Sequence, residues 1–455
     1  MSAGLSVRTT SSNPGSESNT IRVRGTGTLN TAIPLYIVDG IECNISYVNP
    51  HDIATITVLK DAASCAIYGN RGANGVILIT TKQGTEGVVN VTYSGSVSFN
   101  SPMHRLEFLT DYADYMEWLN LACDNAGVKR YFSQAKIDEW RAHENDTDPQ
   151  SKLYWPNTDW TKVFYSPAFV NNHTVSLQGG ADNVRYFISG NFFNNPGVTP
   201  WTDYKKISLR SNIEVDITKF LTLGLNLSGY RSEQDPNADV ASSSGDAITY
   251  GAAAGSPGIV LKSPDGRYGE YNNTEDNMGI VNANAFRRLN FYQHDIPVVQ
   301  QGVIPKFIAR IKPFTGMEIE ASYTYNYSAK HTTHVLQDMD LWRYNPVEGE
   351  VRDLKTVNVY RRSYWWEWRY DTADLTARYN TTVGNLKIGA LAGISGEYYK
   401  YNYDYALKFN DESLGAGEHN DYRLTNTWAT MTTAKSVASY MTGDLQEWGM
   451  RSYFG

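Results

Sequence analysis

The sequence predicts a mainly β protein: a small α/β unit at the N-terminus, followed by an incomplete antiparallel transmembrane β-barrel. Three observations predict it. A strand–turn–helix–strand pattern occupies Pro34 to Gly84. From about Val88 onward, runs of alternating apolar and polar residues take over. Short turns and long loops alternate between those runs, as they do on the two rims of a membrane barrel.

The elements follow in order. LYIVDG is a β-branched and aromatic run stopped by Asp39-Gly40, a buried strand ending in a turn. Asn49-Pro50 supplies a helix cap followed by proline at the first helical position. ATITVLK makes a second strand. Asp61 can cap a short helix over DAASCAIY, with Gly69 as its stop. GVILITTK, from Gly75 to Lys82, lacks polar alternation at its centre, so both of its faces are expected to be covered.

Further on, Ile207, Leu209, Ile213, Val215 and Ile217 share one face of KISLRSNIEVDI, opposite Lys206, Arg210, Asn212, Glu214 and Asp216. A turn at Thr218-Lys219 leads into FLTLGLNLSGY, where Leu221, Leu223, Leu225 and Leu227 oppose Thr222, Asn226 and Ser228. PKFIARIK crosses Pro313 to Gly316 into a strand alternating Met317, Ile319, Ala321, Tyr323, Tyr325 and Tyr327 with polar partners. Leu386, Ile388, Ala390, Ala392 and Ile394 repeat the pattern after a turn near Gly384. A soluble sandwich would alternate too. The short turns, set against long connections from Ser232 to about Val299 and from Lys330 to about Tyr364, favour the barrel.

Composition narrows the class. The 455 residues carry a formal net charge of −8 and a mean hydropathy of −0.44. No apolar run approaches the roughly 18 residues of a membrane helix, and barrel strands average to a weak hydropathy signal. The 32 Tyr and 11 Trp fit interfacial aromatic girdles better than a soluble enzyme. Mild acidity without a Lys/Arg stripe argues against nucleic acid. Cys43, Cys65 and Cys123 give no disulfide spacing, and Cys65 is expected in the core. The opening MSAGLSVRTTSSNPG has neither the basic start nor the apolar stretch of a secretory leader. With the strand pattern unfinished at Gly455, a piece of a longer protein is expected.

IRVRG at Ile21–Gly25, PLYIVDG, VLKDA at Val58–Ala62 and IYGNRGANGVILITTKQG, in that order, resemble the plug-domain signature of TonB-dependent outer-membrane transporters of the SusC/RagA family. YWPNTDW, NHTVSLQGG and YFISGNFFNNPGV resemble the family's first barrel strands, and RSYFG a segment that leads into a further strand. The resemblance is strong from about Gly4 to Gly95, good to about Glu233 and loose beyond. It implies a plug domain over 1–87 and a truncated barrel over 88–455, part of a wall that closes with roughly 22 strands. It also implies that Arg22, Arg24, Gly25, Asp39, Gly40, Lys60, Asp61, Gly69, Arg71 and Gly75 form the plug motif and its contacts with the barrel.

No catalytic constellation is found: no Walker loop, GxSxG or HExxH. His331 and His334 fall in an expected loop without a third metal ligand, and Glu144, Asp146 and Asp148 lack the glycine and terminal Glu of a calcium loop. No cofactor or metal is therefore expected. Trp365, Trp366, Trp368, Tyr401 and Tyr403 are candidate ligand-facing aromatics, with an interfacial girdle as the plainer alternative. By resemblance the full-length parent is an outer-membrane importer of oligosaccharides or peptides, not an enzyme. Its partners would be the TonB complex, a SusD-like surface lipoprotein and outer-membrane lipid. A receptor that senses on the same scaffold and a soluble β-rich carbohydrate-binding protein are the alternatives.

Overall fold

The computed structural model describes residues 5–11, 14–15, 18–23, 33–102, 109–200, 202–235, 255–262, 266, 268–269, 297–336, 339–345, 349–355, 360–383, 386–409 and 438–454. Arg24, Gly25 and the turn at Gly384 lie outside them.

The chain opens with a hairpin of β1 (Leu5–Ser11) and β2 (Ser18–Val23). A four-stranded sheet follows, from β3 (Leu35–Val38), β4 (Ile41–Glu42), β5 (Ile53–Leu59) and β6 (Val76–Thr81), in the order β4-β3-β6-β5. Asn49 caps the turn at Pro50–Asp52 by accepting from His51 N at 3.2 Å, as the Asn-Pro pair foretells. Helix α1 (Ala62–Cys65) continues into 3-10 turns that reach Asn74 and break at Gly69, where φ is 58°. Central strand β6 is covered on both faces. Val76 packs with Leu35, Ile37 and Cys65, and Ile77 and Ile79 pack with Val38 and Val48. Each such side chain contributes about 1.5–3 kcal/mol by leaving water.

A ten-stranded antiparallel sheet makes up the wall. Its first strands are β7 (Gly87–Asn100), β8 (Ala168–Ala181), β9 (Val184–Asn195), β10 (Tyr204–Thr218) and β11 (Leu221–Gln234). The short β12 (Tyr268–Gly269) belongs to a separate three-stranded sheet with β15 (Met339–Asn345) and β16 (Gly349–Lys355). The wall resumes with β13 (Val298–Ile311), β14 (Met317–Leu336), β17 (Tyr360–Val383), β18 (Leu386–Phe409) and β19 (Ala438–Phe454). Successive wall strands pair as neighbours, and β7 and β19 form the two open edges among the described residues. The turns after β8, β10, β13 and β17 are short and share one rim, and the long connections share the other.

The wall is inverted relative to a soluble protein. On β10, Leu209 is 64% exposed while its neighbours Arg210 and Asn212 are 8% and 1% exposed. Ile207, Ile217, Phe307, Leu375 and Ile388 are likewise exposed, and Thr174, Ser189, Thr324 and Ser395 are buried. Apolar side chains outward and polar side chains inward is the arrangement that lipid outside and a filled lumen inside require. A soluble sandwich would show the reverse.

Two expectations need correction. The stretch after Val88 is not strands alone. Between β7 and β8 lie α2 (Tyr112–Ala126), α3 (Gln134–His143), α4 (Ser151–Tyr154) and α5 (Trp160–Phe164). Asp111 caps α2, Gly127 closes it at φ 67°, and Tyr112, Met116, Phe132, Ile137 and Trp140 form a local core. YWPNTDW is therefore not a barrel strand. It runs from α4 through Pro156 into α5, whose first N–H groups are capped by Asp159. The loop expected from Lys330 to Tyr364 is also shorter than its sequence indicates. β14 continues to Leu336, so His331 and His334 lie on a strand, with His331 stacked on Trp365 at 5.0 Å.

Leu209→Arg gives a direct check on the inverted wall. In the full-length protein folded into vesicles, denaturant unfolding should show a loss of about 2–4 kcal/mol, the cost of arginine facing mid-bilayer lipid. An exposed site in water would tolerate the change.

Candidate functional site: a polar seam and the chamber above it

The N-terminal unit sits against the polar face of the wall, and the contact is built from charges and amides. Asp39 is the centre. It adopts φ 51°, the one non-glycine residue with positive φ among those described. Aspartate tolerates this region better than most residues. Its carboxylate accepts from Thr81 N at 2.9 Å and Thr81 Oγ1 at 2.7 Å, which ties the β3 turn to the end of β6. Its carbonyl oxygen accepts from Lys306 Nζ of β13 at 2.8 Å. Gly40, at φ 83°, completes the turn, and a Cβ there would meet Lys306 Nζ at 3.1 Å.

Arg210 of β10 lies between two carboxylates of the unit. Its Nη1 is 3.3 Å from Asp39 Oδ2 and its Nε is 3.6 Å from Asp52 Oδ2, and all three side chains are buried. Burial raises the Asp52 carboxyl above its ordinary range, against the lowering effects of Ser189 and Arg210. Asn212, one inward position along β10, donates to Thr81 Oγ1 at 2.9 Å and to Lys82 O at 2.7 Å. Asn49 donates to Thr174 Oγ1 of β8 at 3.3 Å. Tyr47 stacks on Tyr230 of β11 at 4.4 Å and accepts from Gln300 of β13 at 3.1 Å.

Arg71 makes a second anchor. It pairs with Glu42 at 2.6 Å within the unit and with Glu397 of β18 at 2.7 Å, and donates to Tyr370 of β17 at 3.3 Å. The seam thus reaches from β8 to β18. Gly75, at φ 90°, lets the 3-10 turn enter β6 with Val23 packed 3.0 Å from where a Cβ would stand. Arg22 and Asp61 are exposed, Lys60 is half-buried, and Gly69 occupies an exposed turn.

Toward the long-loop rim, the unit and wall border a half-open chamber of about 1400 Å³. Tyr36, Tyr47, Tyr230, Tyr370 and Tyr399 line it, with Asn, Gln and Lys side chains between them. Burial pushes the Cys43 thiol at its edge up to about 12, so it is protonated and unreactive at neutral pH. Above the chamber, Trp368 and Tyr401 pair across β17 and β18 at 5.8 Å, and Trp366 and Tyr403 at 5.7 Å. By strand alternation these four share the face of Tyr370 and Glu397, which touch Arg71. Trp365 stands on the opposite face.

The wall partners Arg210, Asn212, Lys306, Thr174 and Tyr230 are not among the residues expected from sequence. Their signal was the polar row itself, since a charged or amide side chain on that row must find a partner in the lumen.

Arg210→Ala leaves two buried carboxylates without their cation. It should cost about 3–5 kcal/mol, read as faster amide exchange across Leu35–Thr81 in the full-length protein. For Asp52 the sign is opposite. A raised folded pKa contributes stability below the ordinary aspartate value of about 3.9 and loses it as pH rises through the folded value. Asp52→Asn should therefore slow exchange in this segment at neutral pH, and the gain should vanish in acid.

The comparisons with known proteins agree with this geometry. Residues 2–76 match the family model of the TonB-dependent Receptor Plug Domain. TonB-dependent receptor P3 of Formosa agariphila is 33% identical over 273 residues, 58% of this chain and 24% of that protein. TonB-dependent receptor SusC of Bacteroides thetaiotaomicron is 34% identical over 227 residues, 46% of this chain and 20% of that protein. TonB-dependent receptor P26 of Formosa agariphila is 26% identical over 460 residues, 100% of this chain and 42% of that protein. The chain thus spans less than half the length of these relatives. A structure of the RagAB peptide importer in its closed-closed state superposes with a TM-score of 0.70 at 19% identity, over 99% of this chain and 50% of that one. A polar-lined wall, apolar outside and filled by a hydrogen-bonded α/β unit, thus goes with a TonB-dependent Receptor Plug Domain over residues 2–76, sequence similarity to TonB-dependent receptors that include SusC, and the fold of the RagAB importer.

Proposed function

We propose that the full-length protein is an importer, not an enzyme, and that it takes up oligosaccharides or peptides with energy delivered through TonB. The observation that carries this reading is the chemistry of the plug–wall seam. Asp39, Asp52, Arg210, Asn212, Lys306 and Arg71 hold the plug by ion pairs and hydrogen bonds. Entering water can take over such bonds one at a time, whereas a dry apolar interface would have to part all at once. A plug held this way stays seated at rest and can be displaced by a pull.

The chamber and the aromatic pairs above it support the choice of cargo. Trp366, Trp368, Tyr401 and Tyr403 present rings on the lumen side, where the C–H faces of sugars or the side chains of peptides can stack. Asn326 and Lys330 on the neighbouring strand add hydrogen-bond donors. A SusD-like lipoprotein over the long-loop rim and the TonB complex on the short-turn rim complete the proposed assembly.

Cells carrying the full-length protein should accumulate labelled oligosaccharide or oligopeptide, and a protonophore should abolish the accumulation. Trp366→Ala with Trp368→Ala should reduce uptake of the transported class at least about fivefold, since stacking contacts contribute on the order of 0.5–1.5 kcal/mol each. Binding at the surface without energised accumulation would instead favour a sensor.

A further inference from the structure

The aromatic rings on the inner face of β17 and β18 are arranged as rungs. Trp366 and Tyr403 form the upper rung at 5.7 Å, and Trp368 and Tyr401 the middle one at 5.8 Å. Tyr370 opposes Tyr399 in the register of the two strands and makes the lowest. Alternate residues of a strand share a face, so the rungs follow one another at about 6.8 Å, two residues at roughly 3.4 Å each. These rings are all half-buried. On β14, Asn326 and Lys330 stand beside Tyr370 and Trp366 in the strand register, and the Lys330 ammonium lies over the Trp366 ring at 5.4 Å.

The lowest rung is shared with the plug. Arg71 donates to the Tyr370 hydroxyl at 3.3 Å, a longer contact than its 2.6 Å to Glu42 and 2.7 Å to Glu397. Its Nε is buried without a hydrogen-bond partner among the described residues. A buried donor left unpaired is costly, so the resting cluster does not satisfy its arginine in full. Tyr370, Tyr399 and Arg71 also line the chamber, together with Asn326 and Lys330. A ligand stacked on the lowest rung therefore meets the hydroxyl that helps tie the 3-10 turns of Ala66–Asn74 to the wall.

Two features select the ligand. β14, β17 and β18 each pair with a neighbour on both sides, so none of them offers an open edge to an extended peptide. A peptide laid across flat rings would also turn main-chain N–H and C=O groups out of water without partners. A pyranose differs. It buries a C–H face on an aromatic ring and carries its hydroxyls around the edge, where Asn326 and Lys330 stand. Rungs repeated along one line suit a chain of such sugars.

We infer that a linear oligosaccharide lies along these rungs, and that the sugar on the lowest one takes Tyr370 from Arg71 and so loosens the plug from β17. Tyr370 belongs to the track and to the plug anchor at once, and its contact is the weakest that Arg71 makes by distance. Occupancy of the track thereby reaches the plug through one hydroxyl. The inference rests on the lumen being a cargo route, and within that reading it selects sugar over peptide.

The test titrates the full-length protein in detergent micelles, by calorimetry, with linear neutral and uronic-acid oligosaccharides, from maltohexaose and cellohexaose to oligogalacturonate, and with a hexapeptide pool. At least one oligosaccharide should bind, and the peptides should not. Trp366→Ala and Trp368→Ala should each weaken that sugar about two- to twelvefold. Trp366→Tyr and Trp368→Tyr should recover most of the loss, and Trp365→Ala, on the opposite face, should change nothing. Heat-modifiable migration confirms that each variant folds, and the tyrosine variants carry the test if an alanine variant does not. Saturating sugar should also speed amide exchange over Ala66–Asn74 severalfold. Binding of the peptides instead, binding of none of the sugars, or unchanged affinity in the alanine variants would overturn the track. Sugar binding that leaves exchange at Ala66–Asn74 unchanged or slower would overturn the release of Arg71. Sugar binding with a loosened plug, in a protein that accumulates nothing in cells, would uphold this inference and defeat the import reading alone.

Discussion

The structure depends on one constraint: lipid offers no hydrogen bonds, so a β wall inside it must pair its own strands and turn its polar side chains inward. Every wall strand from β8 to β18 pairs on both sides with a neighbour. The inward row then carries arginine, lysine, asparagine and threonine that cannot be left bare in a crowded lumen. The plug supplies partners for Arg210, Lys306, Asn212 and Thr174. Asp39 takes part of the charge of Arg210 and, through its carbonyl, that of Lys306, while Thr81 and Lys82 answer Asn212. At these residues, filling the lumen and satisfying the wall are the same set of contacts.

That view explains why the Asp39–Gly40 turn is shaped as it is. A left-handed aspartate followed by a positive-φ glycine is a costly way to end a short strand. It lets one residue face three ways: its carboxylate toward Thr81 and Arg210, its carbonyl toward Lys306. Arg71 does the same work at the far side, where Glu42 keeps it in the plug and Glu397 ties it to β18. Arg71, Glu42 and Glu397 also line the chamber.

Much of this was legible in the sequence, for reasons that differ by element. The period-2 rows of β10, β11, β14 and β18 were plain because one face meets lipid and the other the lumen, so neither tolerates the wrong polarity. The sequence could not say which row faced out, because a sandwich and a barrel alternate alike. The exposure of Leu209 beside buried Arg210 decided it. Asp39, Gly40, Arg71 and Gly75 carried local signals, a turn dipeptide and a glycine-rich run. Their wall partners lay more than a hundred residues away and left no spacing to read. Helices α2 to α5 were missed although Asp111, Gly127, Ser133 and Asp159 mark their ends, because strand alternation was extended across a region whose apolar residues follow a helical period. The upper part of β14 was missed because Lys330 to His334 are polar without alternation, which reads as a loop.

The central claim, that the plug rests on the inward polar row and must leave it for cargo to pass, is tested most directly by locking one contact of the seam. Asn49→Cys with Thr174→Cys in the full-length protein places a thiol on each side of a contact now spanned by a 3.3 Å hydrogen bond. A short, reducible bis-thiol crosslinker can join them. The account predicts that joining the pair stops energised uptake while surface binding persists, and that reduction restores uptake. Undiminished uptake with the crosslink complete would contradict it.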